Sequence, residues 1–166
     1  MNLYILRHGI AVERGTPGIK DADRSLTPKG RRRLRQVTGA IHEMELSFDL
    51  IFSSPFARAL QTAEIVAQAF KRKSKLILSN ELTPGGNPKL LIEQINKIRP
   101  RPKYILLVGH EPYLSQFIGL LLAGNTNTAI DLKKGGLCKL EIETLRYGRC
   151  ASLIWLLTPQ QMILMA

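Results

Sequence analysis

A chain of 166 residues, 45% hydrophobic and 22% charged, has the length and composition of one globular domain spanning 1–166, which excludes disordered, collagen-like and low-complexity proteins. Its apolar runs, such as 105–108 and 153–157, are far too short to cross a membrane. The unusual quantity is charge: 24 Lys and Arg against 13 Asp and Glu give +11, which implies an anionic partner such as nucleic acid, an acidic protein or a phosphorylated substrate.

In chain order, residues 2–7 read as a buried strand. No basic segment leads there into an apolar stretch with a small-residue cleavage site, so it is not a signal peptide, and the cytoplasm is the expected location. Residues 9–25 are rich in Gly, Pro and charge, and an irregular segment of that length is more often functional than idle. A helix is predicted after Thr27, a good N-cap, with Pro28 at the first helical position and Leu34, Val37, Ile41 and Met44 in one apolar stripe. Residues 49–53 form a second predicted strand. After Ser54-Pro55 comes a helix with Phe56, Ala59, Leu60, Ala63, Ala67 and Phe70 on one face.

A third strand is expected at 76–78, and Asn87-Pro88 caps a helix carrying Leu91, Ile95 and Ile98. The continuous apolar run 104–108 marks a central strand buried on both faces, and Pro112 opens a helix with Leu114, Phe117, Ile118, Leu121 and Leu122. Cys138, Leu140 and Ile142 then alternate with Lys139, Glu141 and Glu143. A Tyr147-Gly148 turn leads into the run 152–157, giving an antiparallel hairpin at one side of the sheet, and a short helix at 159–164 follows. The expected architecture is an α/β three-layer sandwich, with a mostly parallel central sheet and an antiparallel C-terminal hairpin.

Cys138 and Cys150 make no disulfide framework and no metal-ligand spacing, and with only His8, His42 and His110 nothing in the spacing suggests zinc. Cys138 reads as a small core residue, and His42, on the polar side of the first helix, is assigned no function. The basic clusters 29–35, 71–75, 99–103 and 133–134 read mostly as solvated faces. They lack interleaved aromatics and accompany no nucleic-acid-binding motif, so nucleic acid is not the favoured partner.

Reactive residues follow three predicted strands: Arg7-His8-Gly9, then Ser53-Ser54-Pro55-Phe56-Ala57-Arg58, then Gly109-His110-Glu111-Pro112. Ligands of open α/β sheets bind beyond the carboxyl ends of the strands. If these strands are parallel and adjacent, two histidines and two arginines meet in one crevice. Arg7 and Arg58 offer charged planar forks that match phosphate oxygens. His110 precedes a helix N-terminus, where unpaired N–H groups favour an anion. Nearby cations help keep His8 neutral, the form whose ring nitrogen attacks phosphorus. A phosphoryl group could pass to His8 and then to water, its oxygens held by Arg7, Arg58 and His110, with no metal or cofactor required.

On these motifs, together with Leu26-Thr27-Pro28-Lys29-Gly30, Ala59-Leu60-Gln61-Thr62-Ala63 and Glu81-Leu82-Thr83-Pro84, the chain resembles the histidine phosphatase superfamily of phosphoglycerate mutase-like fold. Within it the likeness is to the small SixA-type phosphohistidine phosphatases, and it runs over nearly the whole chain. The resemblance implies that His8 is the phosphorylated nucleophile, and that Arg7, Arg58 and His110 form the phosphate pocket. It further implies a hydrolase acting in signal transduction on phosphohistidine of a histidine-containing phosphotransfer protein or domain. No membrane partner is implied, and a monomer is expected.

The chain departs from mutases and many sugar-phosphate phosphatases of the superfamily in having Ile10, where they carry Glu or Gln, and in its short length, which leaves little chain for a lid. An open pocket would suit a protein-borne phosphoryl group. Glu81 falls roughly where many relatives keep a proton donor, with capping of the following turn or pairing with an arginine as the alternatives. Phosphohistidine has a labile P–N bond and needs an acid less than a phosphate ester does. The remaining alternatives are a broader phosphomonoesterase of the same superfamily and a basic binding module without turnover.

Overall fold

Ile105, Leu106, Leu107 and Val108 are consecutive, so a strand there turns apolar side chains to both faces and must be covered twice. The computed structural model, which describes residues 1–70 and 76–166, places them in β4 (Tyr104–Gly109), all four wholly buried. With β1 (Asn2–Arg7), β2 (Leu50–Ser53), β3 (Leu76–Leu78), β5 (Leu137–Ile142) and β6 (Ala151–Leu157), β4 builds a six-stranded sheet in the order β3-β2-β4-β1-β5-β6. The first four strands in that order are parallel, and β5 and β6 run antiparallel at one edge. The basic cluster 71–75 lies outside the described residues.

Helices cover both faces. α1 (Pro28–Glu43), α2 (Ala57–Ala69) and α5 (Pro159–Met165) pack Val37, Ile41, Ala63, Val66 and Met162 against Tyr4, Leu6, Ile51, Leu106 and Val108. On the opposite face α3 (Pro88–Asn96) and α4 (Tyr113–Ala123) pack Leu91, Ile95, Leu114, Phe117 and Leu121 against Leu3, Ile5, Phe52, Ile105 and Leu107. The alternation along β1 sends its odd and even residues into different layers. The expected three-layer fold is the one observed. Among the described residues no helix is long and apolar enough to cross a membrane.

Local signals set the helix starts. Thr27 Oγ1 accepts from Gly30 N–H at 3.0 Å, and Asn87 Oδ1 accepts from Lys89 N–H at 2.9 Å. Pro112 stands just before the first residue of α4 rather than within it. The buried face of α2 differs from the apolar stripe expected from sequence. Leu60 is only half-buried, while Arg58 and Thr62 are buried. The polar pair is tolerated because each side chain is hydrogen-bonded.

The register decides where chemistry gathers. Arg7 pairs with Gly109 across β1 and β4, and Ser53 with Val108 across β2 and β4, so three strands end level. His8 N–H then donates to Gly109 O at 3.1 Å, and Ser54 N–H to Val108 O at 3.0 Å, carrying the strand pairing one residue further.

Candidate active site

Each strand end delivers one part of the site. Gly9 N–H donates to Thr62 Oγ1 at 3.1 Å, and Thr62 Oγ1–H donates to Arg58 O at 2.7 Å, which ties the turn after β1 to the first turn of α2. The following residues are held against α1: Thr27 N–H donates to Ile10 O, and a Cβ added at Gly30 would meet that same oxygen at 2.0 Å. Only glycine allows this close approach. Further along, Leu26 N–H donates to Gln61 Oε1 at 2.8 Å, and Ala11 bridges Leu26. The irregular segment 9–25 is thereby fixed over the strand ends.

Arg7, His8, Arg58 and His110 line one cleft of about 350 Å³, the four residues that sequence reasoning singled out together. His8 is 6% exposed and His110 1%, and their ring centroids lie 5.1 Å apart. His8 Nδ1–H donates to Gly9 O at 2.7 Å, and Arg58 Nε–H donates to His8 Nε2 at 3.2 Å. This pairing puts the single ring proton on Nδ1 and a lone pair on Nε2. His110 Nε2 pairs with Ser54 Oγ at 2.8 Å. Phe56 walls the site, with its ring 5.3 Å from that of His110 and 5.4 Å from the Arg58 guanidinium carbon.

Electrostatics keep both imidazoles neutral. Burial pushes His8 down to about 3, outweighing its hydrogen bond to Gly9, and the charges of His110, Arg58 and Arg7 add to the depression. Burial likewise lowers His110 to about 3, with Arg58 contributing and Asp21 opposing. Arg7 Nε and His110 Nδ1 are buried with no hydrogen-bond partner among the described residues. An unmet buried donor costs about 1–3 kcal/mol, so an acceptor-rich oxyanion in the cleft would relieve both.

Sequence reasoning missed the residues that hold this arrangement. Asp21, in a 3-10 turn at Asp21–Asp23, accepts from Arg58 through its carbonyl at 2.6 Å and its carboxylate at 3.1 Å, and pairs with Arg24 at 2.8 Å. Burial would raise its carboxyl, but the hydrogen bonds and charges of Arg24 and Arg58 bring it below its ordinary value. Arg14, Arg24 and Lys134 add three cations to the cleft lining, against Glu13 and Glu111. The i, i+3 spacing of Asp21 and Arg24 was the available signal.

Glu81 sits elsewhere. Its Oε2 accepts from Asn87 N–H at 2.7 Å at the start of α3, the capping arrangement, while its own segment reaches the cleft through Pro84. Glu111 does line the cleft, its carboxylate held by Ser115 N–H and Oγ–H. His42 is exposed on α1, its ring 6.0 Å from that of Phe70.

Comparison with known proteins agrees with this geometry. The family model of the histidine phosphatase superfamily (branch 1) matches residues 3–83. An uncharacterized protein of Picosynechococcus is 35% identical over 141 residues, 84% of each chain. Phosphohistidine phosphatase SixA of Escherichia coli is 27% identical over 127 residues, 76% of this chain and 77% of that one. The solved structure of the protein histidine phosphatase SixA complexed with tungstate superposes with a TM-score of 0.82 at 23% identity, over 96% of this chain and 98% of that chain. The chain belongs to the histidine phosphatase superfamily, is of the SixA type, and is a phosphatase.

Proposed function

We propose that the protein removes the phosphoryl group from phosphohistidine on an acidic protein partner, through a phosphohistidine formed on His8. The observation that carries this is the neutral His8 ring, its Nε2 lone pair held toward Arg58 in a cleft shared with Arg7 and His110. In the first step Nε2 attacks phosphorus and the P–N bond to the substrate imidazole breaks. A proton on the other nitrogen of that imidazole lets it leave neutral. Arg7, Arg58 and His110 hold the phosphoryl oxygens as charge spreads over them. In the second step water attacks phosphorus, the His8 P–N bond breaks, inorganic phosphate departs with the water's oxygen, and His8 Nε2 regains its lone pair.

Exchange between two imidazoles asks little of a general acid. The engagement of Glu81 with Asn87 N–H fits that chemistry better than efficient hydrolysis of an alkyl phosphate. Three cleft cations besides Arg7 and Arg58 provide the charge that a metal would otherwise bring, and on this reading no metal takes part. The activity is assigned to a single domain spanning 1–166. The free thiols Cys138 and Cys150 fit a reducing, cytoplasmic setting.

The test compares rates on a histidine-phosphorylated phosphotransfer domain and on small phosphate esters, for the wild type and for His8→Ala. The proposal expects preference for the phosphoprotein and no turnover in the variant. Equal turnover of esters would select a broader phosphomonoesterase instead, and full activity of His8→Ala would remove the mechanism.

A further inference from the structure

The N-terminal half of α1 carries Lys29, Arg31, Arg32, Arg33 and Arg35 and has no acidic residue in its first turn. Cations at a helix N-terminus oppose the helix dipole and repel one another, so this arrangement costs stability rather than adding it. None of the ion pairs formed among the described residues takes a cation from α1. Lys29, Arg32 and Arg35 are exposed and Arg31 and Arg33 half-buried, and none is paired with a carboxylate among the described residues.

Their placement joins them to the catalytic cleft. Lys134 lines both that cleft and a crevice bounded by Gly9, Gly30, Arg33 and Pro159. Arg33 lines both that crevice and a groove of about 320 Å³ between α1 and α5. The groove has a basic wall of Lys29, Arg32 and Arg33 and an apolar one of Ile163 and Leu164, with Leu164 78% exposed. Lys134 and Arg33 thus lie between the His8 pocket and an apolar, cationic trough between two helices.

We propose that this α1–α5 trough is the docking surface for the phosphoprotein substrate, and that the partner lays an acidic amphipathic helix into it. The inference rests on the phosphohistidine reading of the His8 site. A trough between helices accepts a third helix by its apolar stripe, and the cationic wall selects acidic residues beside that stripe. None of Lys29, Arg32 and Leu164 lines the His8 cleft, so substrate docking and chemistry are separable.

The experiment uses the full chain with two variants, Lys29→Glu/Arg32→Glu and Leu164→Ser. Each is assayed on free phosphohistidine and on an acidic histidine-containing phosphotransfer domain phosphorylated on histidine. Binding of that domain is titrated separately, whether or not turnover occurs. Turnover of free phosphohistidine should be unchanged. For the phosphorylated domain kcat/KM should fall at least about tenfold through KM, with binding weakened in step, and wild-type affinity should drop as salt rises. Unchanged binding of the domain to the charge-reversal variant would overturn the docking surface. So would a variant-induced change in oligomeric state, or loss of salt-sensitive DNA retention, in place of the partner effect. A wild type that binds the domain but hydrolyses neither substrate would instead overturn the catalytic reading.

Discussion

His8 Nε2 accepts a hydrogen bond from Arg58 Nε at 3.2 Å, so the lone pair assigned to attack is held by the guanidinium that would bind the substrate. Asp21 completes the chain, taking the other two nitrogens of Arg58 on its carbonyl and carboxylate. The nucleophile is thus aimed by a buried fork whose far side is fixed. Arg58→Lys keeps the charge and loses the fork, and kcat/KM should fall by about two to three orders of magnitude. Asp21→Asn weakens only the support, and a fall of about tenfold is expected. Steady-state kinetics on one phosphohistidine substrate checks both, and an Arg58→Lys enzyme of wild-type efficiency would contradict the assignment.

Acid should unfold the protein through the same pocket. His8 and His110 have folded-state values of about 3 against an ordinary 6.5. Above about 6.5 neither state binds a proton and stability is independent of these groups. As pH falls from 6.5 toward 3 the unfolded chain takes up protons that the native pocket refuses, so stability is lost on acidification. Each histidine contributes a slope of up to about 1.4 kcal/mol per pH unit across that window. Denaturant midpoints for the wild type and for His8→Asn/His110→Asn, compared between neutral and mildly acidic pH, should show a distinctly flatter dependence in the variant. Parallel curves would contradict the depressed values.

Two of the three buried polar atoms without a partner among the described residues, Arg7 Nε and His110 Nδ1, belong to the cleft and predict stabilisation by oxyanions. Phosphate or tungstate at about a hundred times its dissociation constant should add about 2.7 kcal/mol, a rise in Tm of about 5–10 °C for a chain of this size. Chloride at equal ionic strength should do far less. Arg7→Ala should abolish most of the specific increment.

What the sequence disclosed, and what it withheld, follows from the range of the interactions. The strand-end triplets were legible because an apolar run ending in a polar residue marks the end of a strand locally, as at Leu6-Arg7-His8 and Val108-Gly109-His110. The pocket's support was not, because Asp21 lies in an irregular segment without periodicity and reaches Arg58 across 37 positions. Arg58 was expected beside His8 and lines the cleft with it, yet the apolar stripe expected for α2 put Leu60 inward. Burial of Arg58 and Thr62 there depends on partners in two other segments. Glu81 illustrates the same limit: its motif is plain in the sequence, while its engagement with Asn87 becomes visible only in three dimensions.

Gly30 offers a purely steric check. A methyl group there would meet Ile10 O at 2.0 Å and Ile10 C at 2.9 Å, backbone atoms of the residue two positions after the nucleophile. Gly30→Ala must push the 9–12 turn away from α1. Helix propensity alone would favour alanine by about 1 kcal/mol, so a net loss of stability together with reduced activity would identify the clash as dominant. Thermal melts and kcat measured on the same preparation test this, and a more stable, fully active variant would contradict it.

The last prediction concerns which nitrogen of His110 carries the proton. Ser54 Oγ accepts from Phe56 N–H at 3.2 Å, and its one other hydrogen bond among the described residues is to His110 Nε2 at 2.8 Å. Ser54 is wholly buried, so its hydroxyl proton needs an acceptor, and Nε2 is the one in reach; that assigns the ring proton to Nδ1, the nitrogen without a partner among the described residues. In that tautomer neutral His110 can donate to a phosphoryl oxygen, and in the other it cannot. Ser54→Ala releases Nε2 and strands Phe56 N–H, at a cost of about 1–3 kcal/mol in stability. It should also lower kcat by about tenfold, since part of the population then holds the wrong tautomer. Nitrogen NMR shifts of the His110 ring distinguish this from simple loosening: they should report an Nδ1 proton in the wild type and a mixture in the variant. An Nε2 proton in the wild-type ring would reverse the assignment and remove His110 from the donors to the phosphoryl group.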